Sequence, residues 1–274
     1  DSFRGCDSLQ SITIHDSIEK IGDNPFCGCS NITLKSESSR FTIQNGLLID
    51  NQNNTIVSYT GKDTSVIIPD SVTSIGECAF CGSSLSEITI PSFVIKIGED
   101  AFSRCKSLLQ ITVPDSFMSL EHCFSKCPSL QKVTILNSVT SIAECAFWKS
   151  ASLKEIIIPD SVTIIGGRAF AECTSLQQII IPNSVIMIGW RAFAECTSLQ
   201  EVSIPDSVTG IGEGAFEGCT SLQKIKLTNS LTGSDSWIGR GAFSGCTSLK
   251  QISIPKGSTE LFKKKGLWDK LVEE

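Results

Sequence analysis

Thirteen cysteines in 274 residues are where chemistry would be sought first. Cys78-Ala-Phe-Cys81 has the spacing of a redox pair or of half a zinc site, and Cys123-Phe-Ser-Lys-Cys127 is a second close pair. Structural zinc takes four ligands, and the sequence has no second CxxC to complete a set. Eight of the thirteen, Cys127 among them, fall into register instead. Cys6, Cys29, Cys105, Cys127, Cys173, Cys196, Cys219 and Cys246 each stand three residues after a phenylalanine, a place held in two further units by Ser83 and Ser150. A side chain that recurs in register is set by architecture, and a small residue with a weak S–H donor suits a buried turn whose carbonyl needs a partner. The ladder is therefore expected to be free structural thiols. Cys27, Cys78, Cys81, Cys123 and Cys145 stand outside it.

No other grouping points to catalysis. His15 follows the first strand, where proline often stands, and His122 lies in a shortened turn, so both are expected at the surface. No serine nucleophile elbow accompanies them. Glu77, Glu99, Asp100, Glu144 and Glu213 occupy variable turn positions, one or two per unit, rather than forming an acid–base pair. Gly212-x-Gly214 and Gly239-x-Gly241 fall short of a dinucleotide fingerprint. The expectation is a non-enzyme with no cofactor and no metal.

Composition agrees with a folded chain, at 41% hydrophobic and 19% charged. A net charge of −6 without a basic cluster argues against nucleic acid, and the run Lys263, Lys264, Lys265 is too short to reverse that. No stretch approaches the roughly 20 apolar residues of a membrane span. The sequence opens on Asp1 in mid-pattern, so a preceding leader or cap is expected.

The elements that must carry these residues form a repeat. IPDSVTIIGGRAFAECTSLQQI is followed by IPNSVIMIGWRAFAECTSLQEV, with a period of 23. The landmark phenylalanine recurs at Phe3, Phe26, Phe80, Phe102, Phe124, Phe147, Phe170, Phe193, Phe216 and Phe243, and the last interval, 27 residues, holds a four-residue insertion at 233–236. Each unit carries L-x-x-I-x-I, as in Leu199, Val202 and Ile204, whose alternation predicts a strand with one buried face. The proline that usually follows, as at Pro159, Pro182 and Pro205, cannot donate to a ladder and ends the strand. A unit this short cannot bury its own apolar face, so neighbours must stack with their strands in parallel.

The string SVTxIGxxAFxxCTSLxxIxIP resembles the BspA-like leucine-rich repeat subfamily found in bacterial and protozoan surface proteins, over nearly the whole chain. The resemblance implies a curved right-handed leucine-rich-repeat solenoid, with a parallel β-sheet on the concave face, short strands and turns on the convex side, and a small helical C-terminal cap. Residues 1–255 are expected to form the array, with ten recognisable repeats and a degenerate unit at about 40–60 whose Asn45-Gly46 predicts a β-hairpin. Residues 256–274 form the expected cap, with Ser258 as N-cap, Gly266 ending the helix, and Leu261, Phe262, Trp268 and Leu271 sealing the last repeat. The family further implies a cell-surface or secreted adhesion or recognition protein, with a protein or other macromolecule of a host or neighbouring cell as partner. The alternative is a cytoplasmic interaction scaffold, which free cysteines favour. Asn31-Ile-Thr33 and Asn53-Asn54-Thr55 are glycosylation sequons.

Function is then expected on the surface. Outward strand positions form columns, one with Glu155, Gln178, Glu201 and Lys224, the next with Ile157, Ile180, Ser203 and Lys226, and these eight residues are the candidate ligand-binding face. Ile157 and Ile180 are apolar where neighbouring repeats carry Thr or Ser, as an interface anchor would be. Trp148, Trp190 and Trp237 are secondary candidates, with packing over a neighbouring aromatic ring as the alternative. The hairpin unit and the 233–236 insertion are each either enlarged structural repeats or binding loops.

Overall fold

The computed structural model describes residues 2–6, 8–29, 32–114, 120–267 and 270–274. It is a leucine-rich-repeat solenoid of about eleven turns, the hairpin unit counting as one beside the ten recognisable repeats. Regular turns are tied to their neighbours by up to three hydrogen-bonded ladders. The first is the L-x-x-I-x-I strand. In Glu201–Ser203 only Val202 points inward, and the strand pairs in parallel with Lys224–Lys226, which pairs in turn with Gln251–Ile254. The chain then turns at proline, where the Val208 N–H donates to the Pro205 carbonyl. The second ladder joins two-residue strands such as Ile164–Ile165, Met187–Ile188 and Gly210–Ile211. Between adjacent turns here the backbones close tightly, and a Cβ on Gly189 would lie 2.5 Å from the Gly166 carbonyl carbon, which is why glycine recurs after the isoleucine.

The third ladder runs along the phenylalanine corner. Arg168, Phe170 and Glu172 donate their N–H groups to the carbonyls of Trp190, Ala192 and Ala194 at 2.8 Å. The corner turns through two left-handed residues per repeat, at φ 53° for Arg168 and 62° for Glu172, and the equivalent places one and two repeats later include Gly214 and Gly218. The phenylalanine between them points inward and stacks on its neighbours. From Phe80 to Phe243 successive rings are 5.0 to 5.6 Å apart and within 14° of parallel, an offset-stacked geometry. The main core runs unbroken from Leu47 to Phe262 around this column.

The degenerate unit is a three-stranded antiparallel meander. Phe41–Gln44 pairs with Leu47–Asp50 through the expected turn, with Asn45 and Gly46 both at positive φ, and Leu47–Asp50 pairs with Thr55–Tyr59. Thr55–Tyr59 then rejoins the array in parallel at Ser74–Ile75. Tyr59 takes the corner phenylalanine's place, its ring 5.5 Å from Phe80. The meander has two buried faces. Leu47, Ile49, Ile56 and Tyr59 belong to the main core, whereas Phe41, Leu48 and Val57 close a smaller N-terminal core with Phe26 and Leu34. Alternation at period 2 thus joins two cores through one sheet.

The helix of the C-terminal segment is Thr259–Lys264, and Gly266 ends it as expected, left-handed, with its N–H donating to the Lys263 carbonyl and that of Leu267 to the Phe262 carbonyl. The segment departs from expectation elsewhere. Ser258 occupies the N-cap place but makes no cap hydrogen bond; its hydroxyl donates to the Pro255 carbonyl instead. Phe262 is fully buried and Leu271 packs against the core, but Leu261 is exposed because it faces away from the last turn, and Trp268 lies outside the described residues. Beyond the helix, Leu271–Glu273 adds one more parallel strand beside Gln251–Ile254. The 233–236 insertion is docked on this cap, since Lys265 Nζ donates to the Gly233 carbonyl at 3.2 Å and to Ser236 Oγ at 3.1 Å.

Candidate ligand-binding face

The strand ladder places the outward columns as the repeat spacing requires. Lys132 sits opposite Glu155, Thr134 opposite Ile157, Glu201 opposite Lys224 and Ser203 opposite Lys226. Gln178 bridges to Glu201, while among the described residues no pairing joins Glu155–Ile157 to the next turn. Glu155, Ile157, Gln178, Ile180, Glu201, Ser203, Lys224 and Lys226 are all exposed. Ile157 keeps 69% and Ile180 83% of its surface in water, among the largest values for apolar side chains here. Between Val133 and Val202 the inward partners Ile156 and Ile179 are buried, so replacing an outward residue leaves the core untouched. Among the described residues, none of the eight side chains takes part in a hydrogen bond or ion pair. Their polar atoms remain hydrated and available.

On the corner face several charges are already paired within the chain. Arg191 reaches Glu217 at 2.6 Å and Lys149 reaches Glu172 at 3.5 Å. The Trp148 indole N–H donates to Glu172 at 3.2 Å, and Lys126 and Lys149 lie over its ring. Arg168 lies 4.5 Å from the Trp190 ring centre, a cation–π contact. Trp190 and Trp237 also fill space left by glycine in the preceding turn. A Cβ on Gly167 would meet Trp190 at 2.2 Å, and one on Gly210 would meet the Trp237 ring at 2.4 Å. The three tryptophans thus pack against turn neighbours, over backbone and cations rather than over a phenylalanine. Trp190 and Trp237 keep 42% and 46% of their surface exposed. The glycines at 167 and 210 signal this packing only once successive turns are superposed.

The cysteine ladder has the geometry its registration implied. Cys127, Cys173, Cys196, Cys219 and Cys246 each direct Sγ to the carbonyl of the phenylalanine one repeat earlier, at 3.1 to 3.2 Å. Ser150 makes the same bond to Phe124 at 2.8 Å. Burial pushes the Cys196 thiol up to about 12, so it stays protonated and unreactive. His15 is exposed and pairs with Glu37 at 2.8 Å. His122 is only half-exposed and its ring comes near Glu99 and Asp100, with ligand atoms within 4.8 Å of one another. Spacing alone did not reveal that trio, which arises because Asp100 and His122 occupy the same left-handed corner position in successive turns. Asn53 is exposed, and Asn31 lies outside the described residues.

Residues 1–62, 52–176 and 163–264 match the sequence family described as the BspA type leucine rich repeat region, in six copies. No curated protein matches the chain in sequence. Among solved structures, a leucine-rich repeat protein from Eubacterium ventriosum superposes with a TM-score of 0.74 at 25% identity, over 84% of this chain and 63% of that one. The chain thus spans less than two thirds of that relative's length. A leucine rich cell surface protein from Faecalibacterium prausnitzii gives a TM-score of 0.61 at 30% identity, over 96% of this chain and 77% of that one. The leucine-rich repeat protein of T. pallidum gives 0.50 at 29% identity, over 83% and 92%. Among the described residues, no helix is long and apolar enough to cross a membrane.

Proposed function

This chain belongs to the BspA-type leucine-rich repeat family, and from that premise we propose that it is a non-enzymatic recognition protein that binds a macromolecular partner along its strand face. The observation that carries the reading is the contrast between two faces of one solenoid. On the corner, several charges and two tryptophans are engaged in intrachain pairs; on the strand face, Glu155, Gln178, Glu201, Lys224 and Lys226 make no side-chain hydrogen bond or ion pair around Ile157 and Ile180. An apolar pair ringed by unpaired polar groups is the composition of an interface anchor with its rim. A protein ligand suits it best, since successive turns present these residues at about 4.8 Å intervals, the spacing of an extended surface rather than of a small-molecule pocket.

The partner we propose is a surface component of a host or neighbouring cell, with the chain itself displayed or secreted. Support comes from the cell surface protein of Faecalibacterium prausnitzii, 30% identical over 96% of this chain. A second reading, an intracellular scaffold, is favoured by the ladder thiols, whose S–H groups are needed as donors and which a reducing compartment would preserve. Glycan occupancy at the exposed Asn53 in a eukaryotic source separates the two.

The face is tested with the double variant Ile157→Glu, Ile180→Glu against a control bearing charge changes at Glu99 and Glu213 in the corner turns. Captured from surface extracts of candidate partner cells, a specific ligand should be retained by the wild type and the corner control and lost by the strand-face variant. Loss in the corner control with full retention in a folded strand-face variant would place the ligand elsewhere.

A further inference from the structure

Cys27 and Cys81 differ from the ladder cysteines in position and in partners. Both stand one residue after the corner residue, Phe26 and Phe80, a place taken by Ser103 and Ser125 in the next turns. Neither bonds to a phenylalanine carbonyl of an earlier turn. Cys27 is half-exposed, and its Sγ lies 3.8 Å from the Cys81 carbonyl oxygen. Both residues line one open cavity of about 200 Å³ together with Phe26, Tyr59 and Lys62. They are 54 residues apart and lie on opposite sides of the join between the two cores, Phe26 in the smaller and Phe80 in the larger. The Tyr59 ring is tilted 36° to that of Phe80, and among the described residues no ring contact joins it to Phe26, so the stacked column is interrupted here. Beside the thiols, Asn24 Nδ2 donates to the Cys78 carbonyl and Ser58 Oγ to Asn24 Oδ1, so the two corners are held in contact.

We propose that Cys27 and Cys81 are a thiol–disulfide site, oxidised by a low-molecular-weight disulfide to a reversible cross-link that fastens the N-terminal turns to the main array. Chemistry assigns the roles. The neighbouring Cys27 side chain, a hydrogen bond from Ser103 Oγ at 3.3 Å and the charge of Arg104 bring the Cys81 thiol down to about 6. Cys27, beside Cys81 and partly buried, is pushed up. At neutral pH Cys81 is the thiolate and attacks one sulfur of the small disulfide, expelling the other as a thiolate. Cys27 then loses its proton to solvent or to that leaving thiolate, attacks Cys81 Sγ, and expels the second small thiol. Two protein thiols are oxidised by two electrons while one disulfide is reduced to two thiols. Cys78, the CxxC partner that spacing alone favours, is set apart by geometry: it does not line the cavity that Cys27 and Cys81 share.

The test treats the folded chain with glutathione disulfide, alkylates remaining thiols after unfolding, and maps peptides without reductant. A single linkage joining the Cys27 and Cys81 peptides is expected, reversed by dithiothreitol and accompanied by a higher melting temperature. In Cys27→Ser a glutathione adduct should persist on Cys81, and in Cys81→Ser no linkage should form. On Cys27 the Cys81→Ser variant should form the adduct at least tenfold more slowly. The alkylation rate of Cys81 should rise with pH around a midpoint near its lowered value of about 6. Thirteen thiols still alkylatable in the wild type, or a Cys78–Cys81 linkage in its place, would overturn the proposal without bearing on the strand face.

Discussion

A cysteine can be conserved in register for what its hydrogen does, and the corner ladder is a case in which that hydrogen is a structural donor. Ser150 holding the same bond as Cys173 shows that the position asks for a small donor and not for sulfur. Cys196→Ser should therefore leave the urea midpoint nearly unchanged, while Cys196→Ala, which removes the bond to Phe170, should cost about 1 kcal/mol. The thiol also sets an alkaline limit. Its folded value of about 12 lies above the ordinary 9.0, so the neutral form is the one the fold favours. That contribution is complete below pH 9 and is lost as pH rises from there toward 12. Stability measured by denaturant titration should thus fall between neutral pH and about pH 10, and an unchanged midpoint would contradict burial as the cause. All of this was legible, because eight recurrences at one offset leave little room for another reading. The tryptophan contacts were not, because they depend on the absence of a side chain one turn earlier, at Gly167 and Gly210, and a missing Cβ is silent unless the turns are already superposed.

Among the elements, the meander and the cap carry the sequence's irregularities. Asn45-Gly46 announced a hairpin because only residues tolerant of positive φ make so tight a turn. Its second turn, ending at Asn54 with φ 50°, lacked that pair of residues, so the third strand went unread. One charged pair holds the meander's edge, with Arg40 Nη2 2.7 Å from Asp50 Oδ2. The Arg40 guanidinium holds the Asp50 carboxyl below its usual 3.8. A depressed carboxylate stabilises above its unfolded value and ceases to do so as pH falls through the folded one. Asp50→Asn should accordingly cost roughly 1–2 kcal/mol at neutral pH, and the gap to wild type should close below about pH 4; hydrogen exchange at Leu48 and Ile49 would read it locally. The cap was recognised for its helix and missed for its strand. Leu271–Glu273 has none of the L-x-x-I-x-I spacing, and it joins the sheet because the Gln251–Ile254 edge offers unpaired backbone groups. Deleting residues 258–274 exposes that edge together with the apolar end that Phe262 covers. A lower melting temperature and concentration-dependent association in sedimentation should follow, and a monomeric deletion variant with unchanged melting would show the segment to be dispensable.

At the scale of the whole molecule, stability and recognition are assigned to opposite directions of the same side-chain alternation. Phe170 lies mid-column with rings on both sides at 5.4 and 5.2 Å, and Phe170→Ala should cost about 3–5 kcal/mol in denaturant unfolding. Ile180→Glu, one face over and outward, should stay within about 0.5 kcal/mol of wild type. Similar losses from both would mean that the strand face is itself structural. The fold was legible at this scale because every turn restates it, whereas the ligand is written only once, in whichever turns depart from the consensus. The ring column has a bearing on how such molecules change over generations. Each phenylalanine needs only another at its back and front, and the 27-residue interval before Phe243 keeps its ring 5.6 Å from Phe216 by extruding the surplus at 229–236, between the strands Lys224–Lys226 and Trp237–Ile238. Genes for such a column can gain or lose whole turns by unequal recombination without altering any surviving contact, so the length of the recognition surface is free to vary by copy number while its pitch is not.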